Sequence, residues 1–262
     1  MNDAQRFLLG YDFEAPLAVE RVDPPGEDGL ARLSYRSANG ERVPALLALG
    51  APGGAAILLQ HGGGESKDHP LIRMLLRRWS AAGLTCLAID APGHGERAGG
   101  AQAPRRSFFE YIRLRLQNAI DLRRAIDLLQ CEAGIDPGRI GYWGVSMGGS
   151  VGVMLLAADS RVRAACLCLA GARSRRAWPE VDPGVERFVA ANLDLMALAP
   201  LTAGREVLLL NGKHDETVPA GDARRLFDAL GEPKAQRWFA AGHRVTPAML
   251  RASKEFFDRA LA

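Results

Sequence analysis

The stretch "RIGYWGVSMGGSVGVMLLAA", from Arg139 to Ala158, holds Ser146 between glycines in a G-x-S-x-G pattern. Its first part, Arg139–Gly144, is a short apolar run typical of a buried parallel strand. Its last part, Met147–Ala158, is apolar on nearly all sides and predicts a buried helix. Ser146 therefore lies at a predicted strand-to-helix turn. The pattern alone does not identify a nucleophile, because short motifs arise by chance in a chain with 29 glycines.

Similar apolar runs lie on both sides of this stretch and alternate with segments of helical periodicity. A hairpin is predicted within residues 29–49, where Asn39-Gly40 is a strong turn pair. Strands that alternate with helices predict a parallel sheet covered on both faces. We therefore predict an α/β fold with a mostly parallel sheet of about eight strands and an antiparallel N-terminal hairpin. The strands after the hairpin are Ala55–Gln60, Leu84–Asp90, Arg139–Gly144, Ala164–Ala170, Glu206–Gly212 and the weaker Ala235–Ala241.

The chain is predicted to form one domain over residues 29–262, with an N-terminal arm of residues 1–28 packed on it. A length of 262 residues can bury one large core, and no linker or internal repeat divides it. Two connections, Ala91–Ser107 and Gly171–Gly204, are longer than the sheet requires. Long connections in compact domains are commonly functional loops. We expect residues 171–204 to form a small lid-like insertion.

Composition and charge are those of an ordinary globular protein. Hydrophobic residues make up 48% of the chain, charged residues 24%, and the net charge is only +3. The most basic segments, Arg113–Leu129 and Arg173–Arg176, are interpreted as solvated surface rather than as a nucleic-acid interface. No apolar run approaches the ~20 residues of a membrane-spanning helix, and the N-terminus does not read as a signal peptide. We expect a cytoplasmic monomer or homodimer without a nucleic-acid partner.

Cysteine spacing gives no sign of a metal or redox site. The chain has four cysteines, none in C-x-x-C spacing. Cys166 and Cys168 lie in an apolar run, where cysteine usually behaves as a small buried hydrophobic residue. We therefore predict no metal and no cofactor.

Residues that carry chemistry follow several of the predicted strands. Ligands of open α/β sheets bind beyond the carboxyl ends of the strands. Ser146, Asp215 and His243 each follow such an end. A serine hydroxyl is a weak nucleophile until an imidazole takes its proton, and the imidazole needs a carboxylate to fix its tautomer. The sequence therefore predicts a catalytic set of these residues. Backbone N–H groups of Met147 and of the Gly62–Gly64 run, Gly63 foremost, would stabilise the oxyanion.

Further histidines and carboxylates are candidates for the base and for the acid. His61 and His94 lie in glycine-rich turns, where a side chain can hydrogen-bond its own loop. His214 adjoins Asp215, so its side chain should point away from that of a strand-end aspartate. Asp90 is expected to anchor a loop, and Ser66 and Ser150 are expected to be structural. The candidates in place of His243 are His61, His69, His94 and His214, and those in place of Asp215 are Glu216 and Asp194.

The order Ser146, Asp215, His243 is that of the α/β-hydrolases, which the chain resembles from about Gly29 to its C-terminus. The segments that carry the resemblance are "ANGERVPALLAL", "HGGG", "DAPGHGER", "GVSMGG", "LLLNGKHDETVP" and "AGH". Within that superfamily the chain resembles the single-domain serine esterases of the dienelactone-hydrolase and prolyl-oligopeptidase-like branch. The resemblance implies an α/β-hydrolase fold, the same triad, and an oxyanion hole formed by Gly63 and Met147.

Two differences from these families limit the substrates that we expect. Dienelactone hydrolases proper carry cysteine at the turn, whereas Ser146 favours ordinary ester substrates. Prolyl peptidases carry a large N-terminal propeller, for which the segment before the hairpin is too short. We therefore predict a carboxylesterase-like serine hydrolase that acts on a small-molecule ester through an acyl-enzyme. Thioester or small-peptide hydrolysis is the alternative within the same chemistry, and a non-catalytic ligand-binding homologue is the alternative outside it.

Arginines in the two long connections raise the question of an anionic substrate group. We interpret them instead as solvated surface. They are Arg97, Arg105, Arg106 and the Arg173–Arg176 cluster.

Overall fold

The computed structural model describes residues 1–22, 29–99, 107–172 and 181–262, and within them a nine-stranded sheet forms the centre. Numbered β1 to β9 along the chain, the strands lie in the spatial order β1-β2-β3-β5-β4-β6-β7-β8-β9. The first three strands and the β3–β5 pair are antiparallel, and all later pairs are parallel. The strands are β1 (Glu20–Val22), β2 (Ala31–Arg36), β3 (Arg42–Ala48), β4 (Ala56–Gln60), β5 (Thr85–Ile89), β6 (Ile140–Val145), β7 (Val162–Cys168), β8 (Glu206–Gly212) and β9 (Lys234–Phe239).

Helices cover both faces of this sheet and bury a separate core on each. The side chains of β4 alternate between these cores: Leu58 packs with the helices at Phe108–Ala133 and Met147–Ala158, whereas Ile57 and Leu59 pack with those at Pro70–Ala81 and Pro247–Ala260. None of the helices in the described ranges is long and apolar enough to cross a bilayer. The helices are α1 (Asp3–Leu9), α2 (Pro70–Ala81), α3 (Phe108–Ala133), α4 (Met147–Ala158), α5 (Pro183–Leu193), α6 (Leu195–Leu198), α7 (Ala220–Ala229) and α8 (Pro247–Ala260).

The predicted fold class is confirmed, but the described sheet has nine strands rather than about eight. The additional strand, β1, is only three residues long and lies in the segment predicted to be an arm. It pairs with β2 through its backbone, and no apolar run marks it in the sequence. In the predicted lid-like insertion, α5, α6 and a 3₁₀ turn at Ala199–Thr202 follow one another. Residues 173–180 of that insertion lie outside the described residues.

The N-terminal helix α1 contacts both α3 and the inserted helix α5. Asn2 Nδ2 donates to Asn192 Oδ1 of α5 (3.0 Å), and Gln5 Nε2 donates to the Asn192 carbonyl (3.2 Å). Arg123 of α3 donates to the carbonyl that ends α1, that of Leu9. These contacts join the first helix of the chain to the α3 surface and to the inserted helix.

The interpretation of Arg113–Leu129 as solvated surface is wrong for part of that segment. Arg123 and Arg124 lie on the inner side of α3 and are buried. Arg124 donates to the Pro16 carbonyl (3.0 Å), and the Arg123 guanidinium stacks 4.6 Å from the Tyr11 ring centroid. The two guanidinium groups therefore bind the N-terminal segment to the domain.

Asp159, buried after α4, completes this arginine cluster. Its Oδ2 accepts from Arg123 Nε (3.2 Å) and from Arg161 Nη2 (2.7 Å). Burial alone would raise the pKa of Asp159, but the hydrogen bonds and charge of Arg161, with the charge of Arg123, hold that pKa below its ordinary value. Asp159 is therefore an ionised partner of two cations at neutral pH.

We expect Asp159→Asn to lower the free energy of unfolding by about 3 kcal/mol at neutral pH, because Arg123 stays buried without its carboxylate. Since folding lowers the pKa of Asp159, this contribution is present above the ordinary value of 3.8 and is lost as the pH falls through the folded pKa. Urea unfolding of both proteins at neutral pH and near pH 3 measures this. Asp258→Asn, which breaks an exposed pair with Lys254, is the control and should change little. An equal deficit of the Asp159 variant at both pH values would contradict the expectation.

Candidate active site

Ser146 forms the turn between β6 and α4 and has a strained backbone. Its φ is 54° and its ψ −108°, a conformation that residues other than glycine rarely adopt. Such a conformation costs about 1–3 kcal/mol and persists only where the surroundings impose it. The Ser146 N–H donates to the Cys168 carbonyl at the end of β7 (2.8 Å), which holds the turn in place.

Two glycines let α4 approach the sheet closely. A Cβ on Gly148 would lie 2.5 Å from the Gln60 carbonyl oxygen, and a Cβ on Gly144 would lie 2.6 Å from the Gly148 carbonyl. Only glycine fits at either position without moving backbone. The helix therefore begins directly against the ends of β4 and β6, and the Ser146 side chain stays partly exposed at the carboxyl edge of the sheet.

The three residues predicted from separate strand ends lie together. His243 Nε2 is 2.9 Å from Ser146 Oγ, and His243 Nδ1 is 2.8 Å from Asp215 Oδ2. Asp215 is buried after β8, and its second oxygen accepts from the N–H groups of Thr217 (2.9 Å) and Val218 (2.8 Å). With Nδ1–H donating to Asp215, His243 Nε2 is free to accept the Ser146 proton.

Gly63, in the loop after β4, lies close to Met147, the residue that follows Ser146. A Cβ built on Gly63 would be 3.9 Å from the Met147 Cβ, so the loop after β4 contacts the first residue of α4. Met147 is the first residue of α4, and the first N–H groups of a helix have no intrahelical acceptor. Within the described part of the chain, neither N–H donates to a protein acceptor. Both donors remain available to a ligand.

His61 and His94 hold loops together. The buried His61 accepts from the Ala91 N–H at Nε2 (3.1 Å), so its proton is on Nδ1, which donates to the Gly62 carbonyl (2.7 Å). Burial lowers the pKa of His61 and keeps it in this neutral form. His94 Nδ1 lies 3.0 Å from the Pro92 carbonyl. Both rings therefore bind their own or a neighbouring loop, as expected for residues of glycine-rich turns.

His69 and His214 are accounted for by their local surroundings. His69 caps α2, since its Nδ1 accepts from the Leu71 N–H (3.3 Å). His214 is exposed to solvent directly before Asp215. Among the described residues, His243 is therefore the histidine that contacts Ser146.

The carboxylates of Asp194 and Glu216 are accounted for in the same way. Asp194 caps α6 by accepting from the Met196 N–H (2.8 Å), and Glu216 is exposed. In the described structure, Asp215 is the carboxylate that contacts His243.

Asp90 anchors a loop, and its partner Lys67 was not anticipated from the sequence. Lys67 is almost fully buried, and its Nζ contacts Asp90 (3.1 Å), Asp68 (2.7 Å) and Glu96 (2.7 Å). The Lys67 N–H also donates to Asp90 Oδ1 (2.9 Å). Burial would lower the pKa of Lys67, but its hydrogen bonds to Asp68 and Glu96 raise that pKa. The lysine thus joins the loops that follow β4 and β5.

Arg97 does not belong to a solvated surface. Its side chain is only 7% exposed, and it pairs with Asp121 (2.6 Å) and Glu41 (2.8 Å). Its charge is therefore neutralised within the fold, and the solvated interpretation is wrong for this residue. The other arginines considered for an anionic substrate, Arg105, Arg106 and Arg173–Arg176, lie outside the described residues.

Comparison with known proteins agrees with this architecture. The Escherichia coli (strain K12) protein named Esterase YjfP is 29% identical over 202 residues, which cover 69% of this chain and 79% of that protein. A cold-adapted esterase from an Arctic intertidal metagenomic library, solved with bound PEG, has a TM-score of 0.68 and 25% identity over 94% of this chain and 98% of its own. An acetyl xylan esterase from Paenibacillus sp. R4 has a TM-score of 0.78 at 21% identity, covers 99% and 93% of the two chains, and is similar in fold.

The family model of the alpha/beta hydrolase fold matches residues 55–203, more than half of the 262 residues. This range contains β4 to β7 and the turn at Ser146. The chain therefore belongs to the alpha/beta hydrolase fold family.

Proposed function

We propose that this protein is a serine carboxylesterase that hydrolyses small-molecule esters through an acyl-enzyme. The observation that carries the proposal is the continuous chain of hydrogen bonds from Asp215 through His243 to Ser146, at 2.8 and 2.9 Å. Relatives named as esterases support ester hydrolysis as the reaction class. Ester hydrolysis by such a group needs no component beyond the chain and water.

In the first half of the reaction, Ser146 Oγ attacks the ester carbonyl carbon. His243 Nε2 takes the hydroxyl proton as the new C–O bond forms, and the carbonyl electrons move to the oxygen. The N–H groups of Gly63 and Met147 donate to this oxyanion, since both are free of protein acceptors in the described structure. The bond to the leaving alcohol then breaks, and His243 gives the alcohol its proton.

In the second half, water repeats the sequence on the acyl-enzyme. His243 removes a proton from water, the hydroxide attacks the acyl carbon, and the bond to Ser146 Oγ breaks with return of the proton to the serine. Asp215 remains ionised and holds the Nδ1–H of His243 throughout. The N–H groups of Thr217 and Val218 fix the orientation of this carboxylate, so its free oxygen points at the imidazole.

Labelling with a fluorophosphonate probe tests the proposal directly, because such probes phosphonylate activated serines. We expect the wild-type protein to be labelled on the peptide that contains Ser146 and to hydrolyse p-nitrophenyl acetate. A series of p-nitrophenyl esters of increasing acyl length, with one matched thioester, then measures the preferred acyl size and ester type. A wild-type protein that is neither labelled nor active on any of these substrates would contradict the proposal.

A further inference from the structure

We propose that Glu65 is a positioning residue that fixes the direction of the Gly63 N–H. The inference rests on the function proposed above, in which that N–H stabilises the oxyanion. Gly62, Gly63 and Gly64 are consecutive, and glycine has the greatest backbone freedom of any residue. Oxyanion stabilisation requires donors that are fixed before the reaction begins. Groups outside the glycines must therefore hold this loop.

Glu65 and Gly62 hold each other through two hydrogen bonds. The Glu65 N–H donates to the Gly62 carbonyl (3.3 Å), and the Gly62 N–H donates to Glu65 Oε2 (2.9 Å). Gly64, within the turn that this pair closes, has a φ of +79°. The second bond is made by the side chain and so depends on the identity of residue 65.

The Gly62 carbonyl is also fixed from the other side. It accepts from His61 Nδ1–H (2.7 Å), so both backbone polar groups of Gly62 are engaged. A peptide unit is planar, and the Gly62 carbonyl shares its plane with the Gly63 N–H. Holding the two peptide units that flank the Gly62 Cα sets φ and ψ of that residue. The direction of the Gly63 N–H is thereby set as well.

The Glu65 carboxylate is itself confined. A Cβ on Gly62 would lie 3.1 Å from Glu65 Oε2, so the carboxylate sits directly against the backbone of residue 62. Its other oxygen lies 3.6 Å from His69 Nε2. His69 Nδ1 accepts from the Leu71 N–H, which leaves the proton of the neutral ring on Nε2, facing Glu65. The Glu65 side chain is 33% exposed, so it can be replaced without opening the core.

Three substitutions of Glu65 distinguish the effect of its side-chain length from the effect of its charge. Glu65→Gln keeps an acceptor oxygen at the same distance and loses the charge. Glu65→Asp keeps the charge but is one methylene too short. Glu65→Ala loses both. We expect kcat to fall about 10- to 100-fold in the Asp and Ala variants, with KM within about twofold, and to stay within about twofold of wild type for Gln.

The readouts are kcat and KM on p-nitrophenyl acetate, with the melting temperature of each variant as the control for folding. A kcat close to wild type in Glu65→Gln but not in Glu65→Asp, with KM unchanged, supports a positioning role. A general loss of stability would not produce this pattern. Wild-type kcat in Glu65→Ala, or a loss in Gln equal to that in Ala, would overturn the inference. Because these outcomes require an active wild-type enzyme, they are distinct from failure of the proposed function, in which the wild type itself is inactive.

Discussion

Replacement of Ser146 by alanine is expected to lower kcat for a p-nitrophenyl ester by about 10⁶-fold and to abolish fluorophosphonate labelling. Alanine removes the oxygen that forms the acyl-enzyme in the proposed mechanism but leaves Asp215, His243 and the N–H groups of Gly63 and Met147 in place. The loss should stop short of the uncatalysed rate, because oxyanion stabilisation and substrate binding alone retain about 10³-fold over water. Alanine carries a Cβ like serine, so the strain at φ 54° is unchanged and the fold should be unaffected.

Ser150→Ala is the matched control for this experiment. Ser150 lies one turn further along α4, where its N–H donates to the Ser146 carbonyl (3.0 Å). Its substitution should leave both labelling and kcat within about twofold of wild type. Retention of labelling in Ser146→Ala, or its loss in Ser150→Ala, would assign the nucleophile to another residue. Circular dichroism and the melting temperature of both variants show whether each is folded.

The second-largest effect is expected for Asp215→Asn, which should lower kcat by about 10⁴-fold. The reason lies in the contacts of the carboxylate. The N–H groups of Thr217 and Val218 face one oxygen of Asp215, so an asparagine would turn its carbonyl toward them and its NH₂ toward His243. His243 Nδ1 would then accept rather than donate, and its proton would move to Nε2. A protonated Nε2 cannot accept the Ser146 proton.

Glu216→Gln is the control for Asp215→Asn, since it neutralises the adjacent exposed carboxylate. It should retain kcat within about twofold of wild type. Steady-state kinetics on p-nitrophenyl acetate compare the two variants, with urea unfolding as the measure of stability. If Glu216→Gln reproduced the loss and Asp215→Asn did not, the assignment of the carboxylate would be wrong.

Much of the fold was predictable because buried parallel strands appear in the sequence as apolar runs. The predicted strand Glu206–Gly212 coincides with β8, and the predicted hairpin contains β2 and β3. The exception is β1, whose three residues pair with β2 through backbone groups and through the contacts of Glu20 with Ser34 and Arg36. Backbone pairing leaves no signal in residue type, so such a short edge strand is not visible in the sequence.

The site was predictable in part because its residues follow strand ends, and the sheet brings those ends to one edge. Ser146, Asp215 and His243 were selected by their positions after predicted strands together with their order along the chain. The contacts of Lys67 and Glu65 were not predicted because they depend on loop geometry and, for Lys67, on carboxylates far along the chain at Asp90 and Glu96. When such contacts are unknown, a lysine or glutamate beside a glycine-rich turn is expected to lie on the protein surface.

The solvent exposure of the buried arginines was predicted wrongly for a related reason. Arginine is mostly exposed, so a basic helical segment is normally assigned to solvent. Arg97 and Arg123 are buried because carboxylates from other elements, Asp121 and Asp159, neutralise them. Such compensation depends on tertiary contacts between segments distant in sequence, which helical periodicity does not reveal.

The ion pairs of Lys67 limit which substitutions the loops after β4 and β5 can tolerate. Replacing Lys67 alone would leave Asp90 as a buried carboxylate without its cation. Replacing Asp90 alone would remove the carboxylate that accepts from both the ammonium group and the backbone N–H of Lys67. Substitution of Lys67, in the loop after β4, is thus expected to be tolerated only together with a substitution of Asp90, in the loop after β5. A variant that takes one of these loops from a relative would have to take the other as well, so that Lys67 and Asp90 stay paired.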